Sequence, residues 1–86
     1  MKTAPEMINF VHAVETIATA NRAHHVDVIT VELGATCFVS PYYFYMLFQD
    51  AAHNTILEDA QLEFIESDDV YSTTADDVVL CGLEIS

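Results

Sequence analysis

Four histidines are the side chains of this sequence best suited to bind a metal ion or transfer a proton, because imidazole titrates near neutral pH. His12 is predicted on the polar side of a helix, and His53 near the end of another, where it would complement the helix dipole. His24 and His25 are adjacent just before a predicted strand, so their side chains should point apart. A metal site using His24 and His25 would therefore need ligands from a second chain.

No other residue pattern indicates catalysis. The sequence has no nucleophilic triad, phosphate-binding loop, dinucleotide fingerprint or H-E-x-x-H motif, and we expect the protein not to be an enzyme. Cys37 and Cys81 are far apart and cannot alone provide four zinc ligands, so no structural zinc is expected and both are predicted to be reduced, half-buried residues. Tyr42, Tyr43 and Tyr45 could line a ligand pocket, but they are better explained as core aromatics.

Composition limits the classes of partner. The sequence has one lysine, one arginine and 14 aspartates and glutamates, which gives a formal net charge of -12. This charge excludes nucleic-acid binding, because it repels phosphate groups. The acidity serves solubility, or it forms a docking surface for a basic partner or a cation. No segment is long and apolar enough to span a membrane, and the N-terminus does not resemble a secretory signal, so the expected compartment is the cytoplasm.

The rest of the chain is organised around residues 26–48. Residues 26–33 are rich in β-branched side chains and are followed by Gly34, which predicts a strand. Ser40 and Pro41 then form an N-cap and first-turn proline. The following residues, 42–48, are almost wholly aromatic and aliphatic, so this second helix should be largely buried. A strand, a connection and a buried helix predict the first half of a β-α-β unit.

The remaining elements complete a single domain over residues 1–86, of which 52% are hydrophobic. An amphipathic helix, capped by Thr3 or Ala4, precedes the first strand and should end near residues 21–23 with Asn21 in a left-handed cap. Gln61–Glu66 alternates as a strand that Val70 and Tyr71 extend, and Val78–Ile85 is the last strand. The predicted fold is α+β, in the order α-β-α-β-β, with two helices packed on one face of a three-stranded mixed sheet. Its predicted core consists of Phe10, Val14, Ile17, Ile29, Val31, Phe44, Leu47, Phe48, Leu62, Phe64 and Leu83.

Two helices can cover only one face of this sheet. Alternation places Val79, Cys81, Leu83 and Ile85 together on one face of the last strand. The uncovered face would then be too apolar for water, because it would carry Val26, Val28, Thr30, Ile65, Val78 and Leu80. We therefore expect a homo-oligomer formed through the open face or the edge of the last strand.

Several segments together resemble a known family. They are V-x-V-x-x-V-x-L-G in the first strand, A-x-L-E-F-I-E in the second strand and D-V-V-L-x-G-L-E-I at the end, with the amphipathic first helix before them. In this order they resemble the nickel-binding domain of the HypA/HybF family, whose members are nickel metallochaperones for hydrogenase and sometimes urease maturation. The resemblance covers nearly the whole chain.

The sequence departs from that family at its metal sites. Family members carry a zinc domain with paired C-x-x-C knuckles between the last two strands, where this chain has a turn at residues 72–77. The family's N-terminal Met-His-Glu nickel motif falls on Ala4, Pro5 and Glu6, so Glu6 is its surviving position. An acidic residue expected at the start of the second helix falls on Ser40. A square-planar nickel site needs nitrogen donors that are missing here, which predicts a protein degenerate for family-type nickel binding.

The resemblance implies an accessory protein of nickel-enzyme maturation that acts by protein-protein contact with a maturation GTPase or a nickel-enzyme subunit. Two alternatives remain open. One is a divergent metal binder, which would use Glu6 with His12, or His24 and His25 across a dimer. The other is a structural interaction module unrelated to nickel. A nickel titration, a pull-down against maturation GTPases and the neighbouring genes would distinguish these hypotheses.

Overall fold

Two helices and three strands form in the order predicted from the sequence. A computed structural model describes residues 5–37, 39–73 and 75–86, so the predicted cap at Thr3 or Ala4 lies outside the described residues. The elements are α1 (Pro5–Ala20), β1 (Val26–Leu33), α2 (Pro41–Ala51), β2 (Gln61–Glu66) and β3 (Val78–Ile85). Neither helix in the described part of the chain is long and apolar enough to cross a membrane.

The sheet has the strand order β2-β1-β3 and is mixed, as predicted. β1 pairs in parallel with β2, with Val31 opposite Phe64, and antiparallel with β3. Because β1 and β2 are parallel, α2 must run back along the sheet between them, which completes the β-α-β unit. The α+β fold with both helices on one sheet face is confirmed.

The core lies between this sheet face and the two helices. Met7, Val11, Val14 and Ala18 form the buried stripe of α1. Ile17 was predicted in the core but is 43% exposed. At about 100° per residue, it lies about 90° from the centre of that stripe, so it reaches the flank of the helix and not the sheet.

Phe44 of α2 is the centre of an aromatic cluster. Its ring packs edge-to-face on Phe10 of α1, with centroids 5.4 Å apart, and on Phe64 of β2, at 5.6 Å. It also stacks on Phe48 at 6.4 Å. One side chain therefore joins both helices to the edge strand β2, and the core positions predicted for Phe10 and Phe64 are confirmed as partly buried contacts with this cluster.

A β-bulge in β1 interrupts its pairing with β3. Val26 is opposite Ile85 and Val28 is opposite Glu84, so Asp27 has no residue opposite it. An unpaired residue shifts the alternation of side chains by one position. Val26 is consequently buried in the same core as Ile29, although the sequence placed it on the open face.

A second bulge lies in β3. Thr30 is opposite Gly82 and Val31 is opposite Leu80, which leaves Cys81 without a residue opposite it. An added Cβ on Gly82 would lie 3.4 Å from Thr30 Cβ, so these two positions share the open face. The alternation reverses at Cys81, and Leu80 packs against the core.

These bulges correct the predicted faces of the sheet. Val26, Val78 and Leu80 were assigned to the open face, but they pack on the helix side. Val79 and Cys81 were grouped with Leu83 and Ile85, but Cys81 is exposed and Val79 lies with the open-face positions. Cys81 was also wrongly predicted to be half-buried, while Cys37 is part-buried; both thiols are free.

The open face is more polar than the sequence predicted. Three rows of residues cross it in the order β2-β1-β3: Gln61-Val28-Glu84, Glu63-Thr30-Gly82 and Ile65-Glu32-Val79. Each row therefore contains a glutamate. The apolar area that was expected to drive self-association through this face is reduced to Val28, Ile65 and Val79.

Two loop predictions are wrong in detail. α1 ends at Ala20, and Arg22, not Asn21, takes the left-handed conformation with φ 60°. β2 ends at Glu66 because β1, its partner, ends at Leu33. The backbone N–H of Tyr71 instead donates to Asp69 Oδ1 at 3.0 Å, and the Tyr71 side chain is 94% exposed in a turn.

Candidate functional site

The predicted metal ligands lie at opposite ends of the molecule. Glu6 is in the first turn of α1, whereas His24 and His25 follow its last turn. A helix of 16 residues is about 24 Å long, so Glu6 cannot share an ion with either histidine of the same chain. His12 is six residues after Glu6, which places it about 120° around the helix from Glu6. The predicted ligands therefore mark two separate candidate metal sites, one at the start of α1 and one beyond its end.

The starts of α1 and α2 meet at one end of the sheet. α2 begins where β1 ends, and its first turn is fixed by Ser40, whose Oγ accepts a hydrogen bond from Tyr43 N at 3.2 Å. The contact between Phe10 and Phe44 brings the start of α1 beside it. Val78, the first residue of β3, is at the same end because it pairs with Leu33, the last residue of β1.

An apolar groove opens between these two helix starts. Its volume is about 390 Å³, and its lining residues are Glu6, Met7, Phe10, Val39, Tyr43, Phe44, Leu47 and Val78. Seven of these eight side chains are apolar or aromatic, and Glu6 is the only charged one. Such a groove suits apolar side chains of a ligand or partner.

The part of α2 that does not face the sheet is unexpectedly exposed, and it borders the apolar groove at Tyr43. Tyr42, Tyr43, Tyr45 and Met46 are between 39% and 73% exposed, although the sequence predicted a largely buried helix with core tyrosines. The sheet is only three strands wide, so α2 buries only Phe44, Leu47 and Phe48. The surplus aromatic residues remain on the surface. Exposed aromatic residues near an apolar groove are typical of interaction surfaces.

The same end of the molecule is strongly acidic. The connection from β2 to β3 is held against the end of β1, since Ser67 N donates to Leu33 O at 3.0 Å and Gly34 N donates to Asp77 O at 2.9 Å. Asp76 and Asp77 are exposed and directly precede Val78 of the apolar groove. Arg22, the only lysine or arginine among the described residues, lies beyond the far end of α1.

The histidine pair lies at the other end, beside a polar cavity. The backbone N–H groups of His24 and His25 both donate to Ser86 O, at 2.8 and 3.1 Å, and both side chains are exposed. His25 also lines a polar cavity of about 710 Å³ together with Asp27, Asn54, Glu58 and Asp59. These backbone hydrogen bonds fix the start of β1, and they do not involve the imidazole rings.

Neither place contains a formed metal site in the described part of the chain. No group of three His, Cys, Asp or Glu side chains is arranged to hold an ion among residues 5–37, 39–73 and 75–86. His53 Nδ1 lies 3.4 Å from Glu58 Oε1, and both side chains are well exposed. The described residues around Glu6 in the apolar groove include no imidazole, thiol or second carboxylate. The surroundings of Glu6 form an apolar contact surface that is bordered by Glu6 itself and by Asp76 and Asp77.

Comparison with solved structures gives the fold a close parallel. The solution structure of the Ni metallochaperone HypA from Helicobacter pylori matches with a TM-score of 0.72 and 17% identity, over 92% of this chain and 96% of that chain. A second solution structure, of HypA protein, matches with a TM-score of 0.76 and 15% identity, over 95% of this chain and 93% of that one. The chain has a HypA-like fold. The sequence itself matches no protein-family model, and no curated protein matches it.

The HypA-like fold confirms the resemblance that the strand patterns indicated. Because the identity is only 15–17%, the comparison establishes the fold and not the function. Glu6, His24 and His25 stay predictions as metal ligands. Sequence reasoning did not find the apolar groove, because its lining comes from four separate segments of the chain. The sequence did contain a signal for the exposed face of α2, because Tyr42, Tyr45 and Met46 are three and four residues apart, a spacing that places them together on one helix face.

Proposed function

We propose that this protein is an accessory factor of nickel-enzyme maturation that acts by contact with other proteins and not by carrying nickel in the manner of its structural neighbours. The observation that carries the proposal is the HypA-like fold, which extends over 92% of the chain in the match to the Ni metallochaperone HypA of Helicobacter pylori. The proposal assigns no catalytic step to the chain.

The surroundings of Glu6 support the loss of family-type nickel binding. Square-planar Ni²⁺ prefers nitrogen donors, and the position that would supply the imidazole is Pro5 in this sequence. The described residues that line the apolar groove with Glu6 are apolar or aromatic. A carboxylate in such surroundings can meet a positively charged side chain of a partner more readily than it can complete a nickel site.

A second candidate function is divergent metal binding by the histidine pair. His24 and His25 are exposed, and His25 lies beside the carboxylates of Asp27, Glu58 and Asp59 in the polar cavity. A second copy of the chain would have to supply the remaining ligands. Calorimetric titration with Ni²⁺ should give no saturable one-to-one binding. Saturable binding that the double variant His24→Ala, His25→Ala abolishes would favour this second function instead.

The maturation role is tested in the organism that encodes the chain. Deleting the gene should lower hydrogenase or urease activity, and the wild-type gene should restore it. A pull-down with the purified chain should recover a maturation GTPase or a nickel-enzyme subunit. Unchanged nickel-enzyme activity after deletion would contradict the proposal and leave a structural interaction module unrelated to nickel.

A further inference from the structure

The exposed surface at the start of both helices has features that the comparison with HypA does not explain. The apolar groove is open, with Tyr43 on its rim, and Tyr42 and Met46 extend the apolar surface along α2. Apolar side chains exposed together in this way cost free energy in water, whereas a partner would cover them. The question is which partner fits.

The charged residues around the apolar groove indicate the charge that a partner's contacting surface should carry. Glu6 lies on the groove itself, and Asp76 and Asp77 directly precede its lining residue Val78. A second copy of this chain would bring the same carboxylates and a net charge of -12 against them. A lysine- or arginine-bearing partner would instead pair with Glu6 and place its cations over exposed tyrosine rings such as Tyr43.

The backbone around the apolar groove selects the shape of the partner. Phe10, Phe44 and Leu47 lie beyond the first turn of their helices, where backbone N–H and C=O groups are paired within the helix. An extended peptide that adds a strand would find no row of free backbone groups along these residues. An amphipathic helix needs only apolar pockets for anchors at three- and four-residue spacing.

The geometry points to the apolar groove as the docking site for a basic amphipathic helix of a partner protein, with its apolar anchors between α1 and α2 and its cations on Glu6 and Tyr43. This inference deepens the proposed function, since it names the surface and the chemistry of the partner. It also stands by itself, because helix binding can be measured without any nickel enzyme.

The test uses a fluorescein-labelled peptide of leucine, alanine and lysine, designed as an amphipathic helix of about five turns. Fluorescence anisotropy is measured at about 0.15 M salt, where charges more than about 8 Å apart are largely screened. We expect saturable binding. The same peptide with each lysine replaced by glutamate should not bind. Equal binding of both peptides, or no binding of the lysine peptide, would overturn the inference.

Matched variants locate the binding surface. Tyr43→Ala should raise the Kd about tenfold, while Tyr71→Ala, the same change at an exposed tyrosine in the β2–β3 turn, should change it less than about twofold. Glu6→Lys should likewise weaken binding more than Glu63→Lys on the open sheet face. Equal effects of the two glutamate changes would show general electrostatic attraction, and equal effects of the two tyrosine changes would show non-specific apolar contact. Either result would refute the groove.

Two further measurements separate the remaining outcomes. Circular dichroism should show that Tyr43→Ala is folded, since this side chain is half exposed, and amide NMR shifts on peptide addition should concentrate at Met7, Phe10, Val39 and Val78. Shifts concentrated on residues 79–85 of β3 or on the open face would contradict the inference. Peptide binding at the apolar groove together with normal nickel-enzyme activity after gene deletion would sustain the docking site and reject the maturation role.

Discussion

Replacing Phe44 with leucine tests whether its three ring contacts hold the two helices to the sheet. Leucine keeps the site apolar and fills most of it, so the change mainly removes the ring pairs with Phe10, Phe48 and Phe64. Each such pair is worth about 0.5–1.5 kcal/mol beyond the burial of its area. We expect Phe44→Leu to lower the free energy of unfolding by about 2–4 kcal/mol, out of the roughly 5–15 kcal/mol typical of a domain.

Phe48→Leu is the matched control. Phe48 is 0% exposed and Phe44 is 3% exposed, so burial alone predicts equal losses, or a slightly larger loss at Phe48. Among the described rings, however, Phe48 pairs only with Phe44. If the ring pairs matter, Phe48→Leu should cost about 1–2 kcal/mol, close to an ordinary volume-conserving change in a core.

Urea unfolding followed by far-ultraviolet circular dichroism measures both losses. With m-values of about 1–3 kcal/mol per molar urea, a loss of 2–4 kcal/mol should move the midpoint by about 1 M or more. The m-value itself should not change between variants. A loss for Phe48→Leu equal to or greater than that for Phe44→Leu would refute the role given to the ring pairs and leave burial as the explanation.

Three other predictions concern capping, zinc and assembly. Ser40→Ala removes the acceptor for Tyr43 N and should cost about 1 kcal/mol in the same urea assay; no loss would show that water replaces the cap. Elemental analysis of the purified protein should find no stoichiometric zinc, since Cys37 and Cys81 cannot supply four ligands, and tightly held zinc would contradict this. We expect self-association at the β3 edge, so in sedimentation Cys81→Lys should dissociate the oligomer and Val28→Lys should not; a monomeric wild-type protein would exclude both interfaces.

Much of the fold could be predicted because local signals and tertiary structure agree. The β-branched run of β1 gives that strand its observed bounds, Val26–Leu33, and the Ser40–Pro41 pair marks the start of α2 correctly. β2 and β3 also have the predicted bounds, apart from the extension to Val70 and Tyr71. That extension failed because a strand needs a neighbour, and β1 ends at Leu33.

The faces of the sheet could not be predicted because bulges are set by pairing between strands. Simple alternation assumes one residue opposite one residue, and Asp27 and Cys81 break that rule. Each of them reverses the pattern on its own strand. The open face consequently lost Val26, Val78 and Leu80 to the core, and with them most of the reason to expect self-association there.

The buried face of α2 shows a related limit. An aromatic run such as residues 42–48 predicts burial when only composition is considered, yet a helix has one face toward a sheet and three strands are too narrow to cover more. Phe44, Leu47 and Phe48 occupy that face. Tyr43 and Tyr45 are one position to either side of Phe44, about 100° around the helix from it, so they remain exposed.

The fold shows where the acidic residues of the chain lie, which the net charge alone does not. Composition left two interpretations of the acidity, solubility or a docking surface, because it does not say where the charges lie. Five of the 14 acidic residues fall within residues 66–77, and this connection is hydrogen-bonded to the end of β1, where both helices begin. The other nine are distributed over the rest of the chain and serve solubility. Charge concentrated beside an exposed apolar groove favours the docking interpretation, because the same partner then gains both contacts at once.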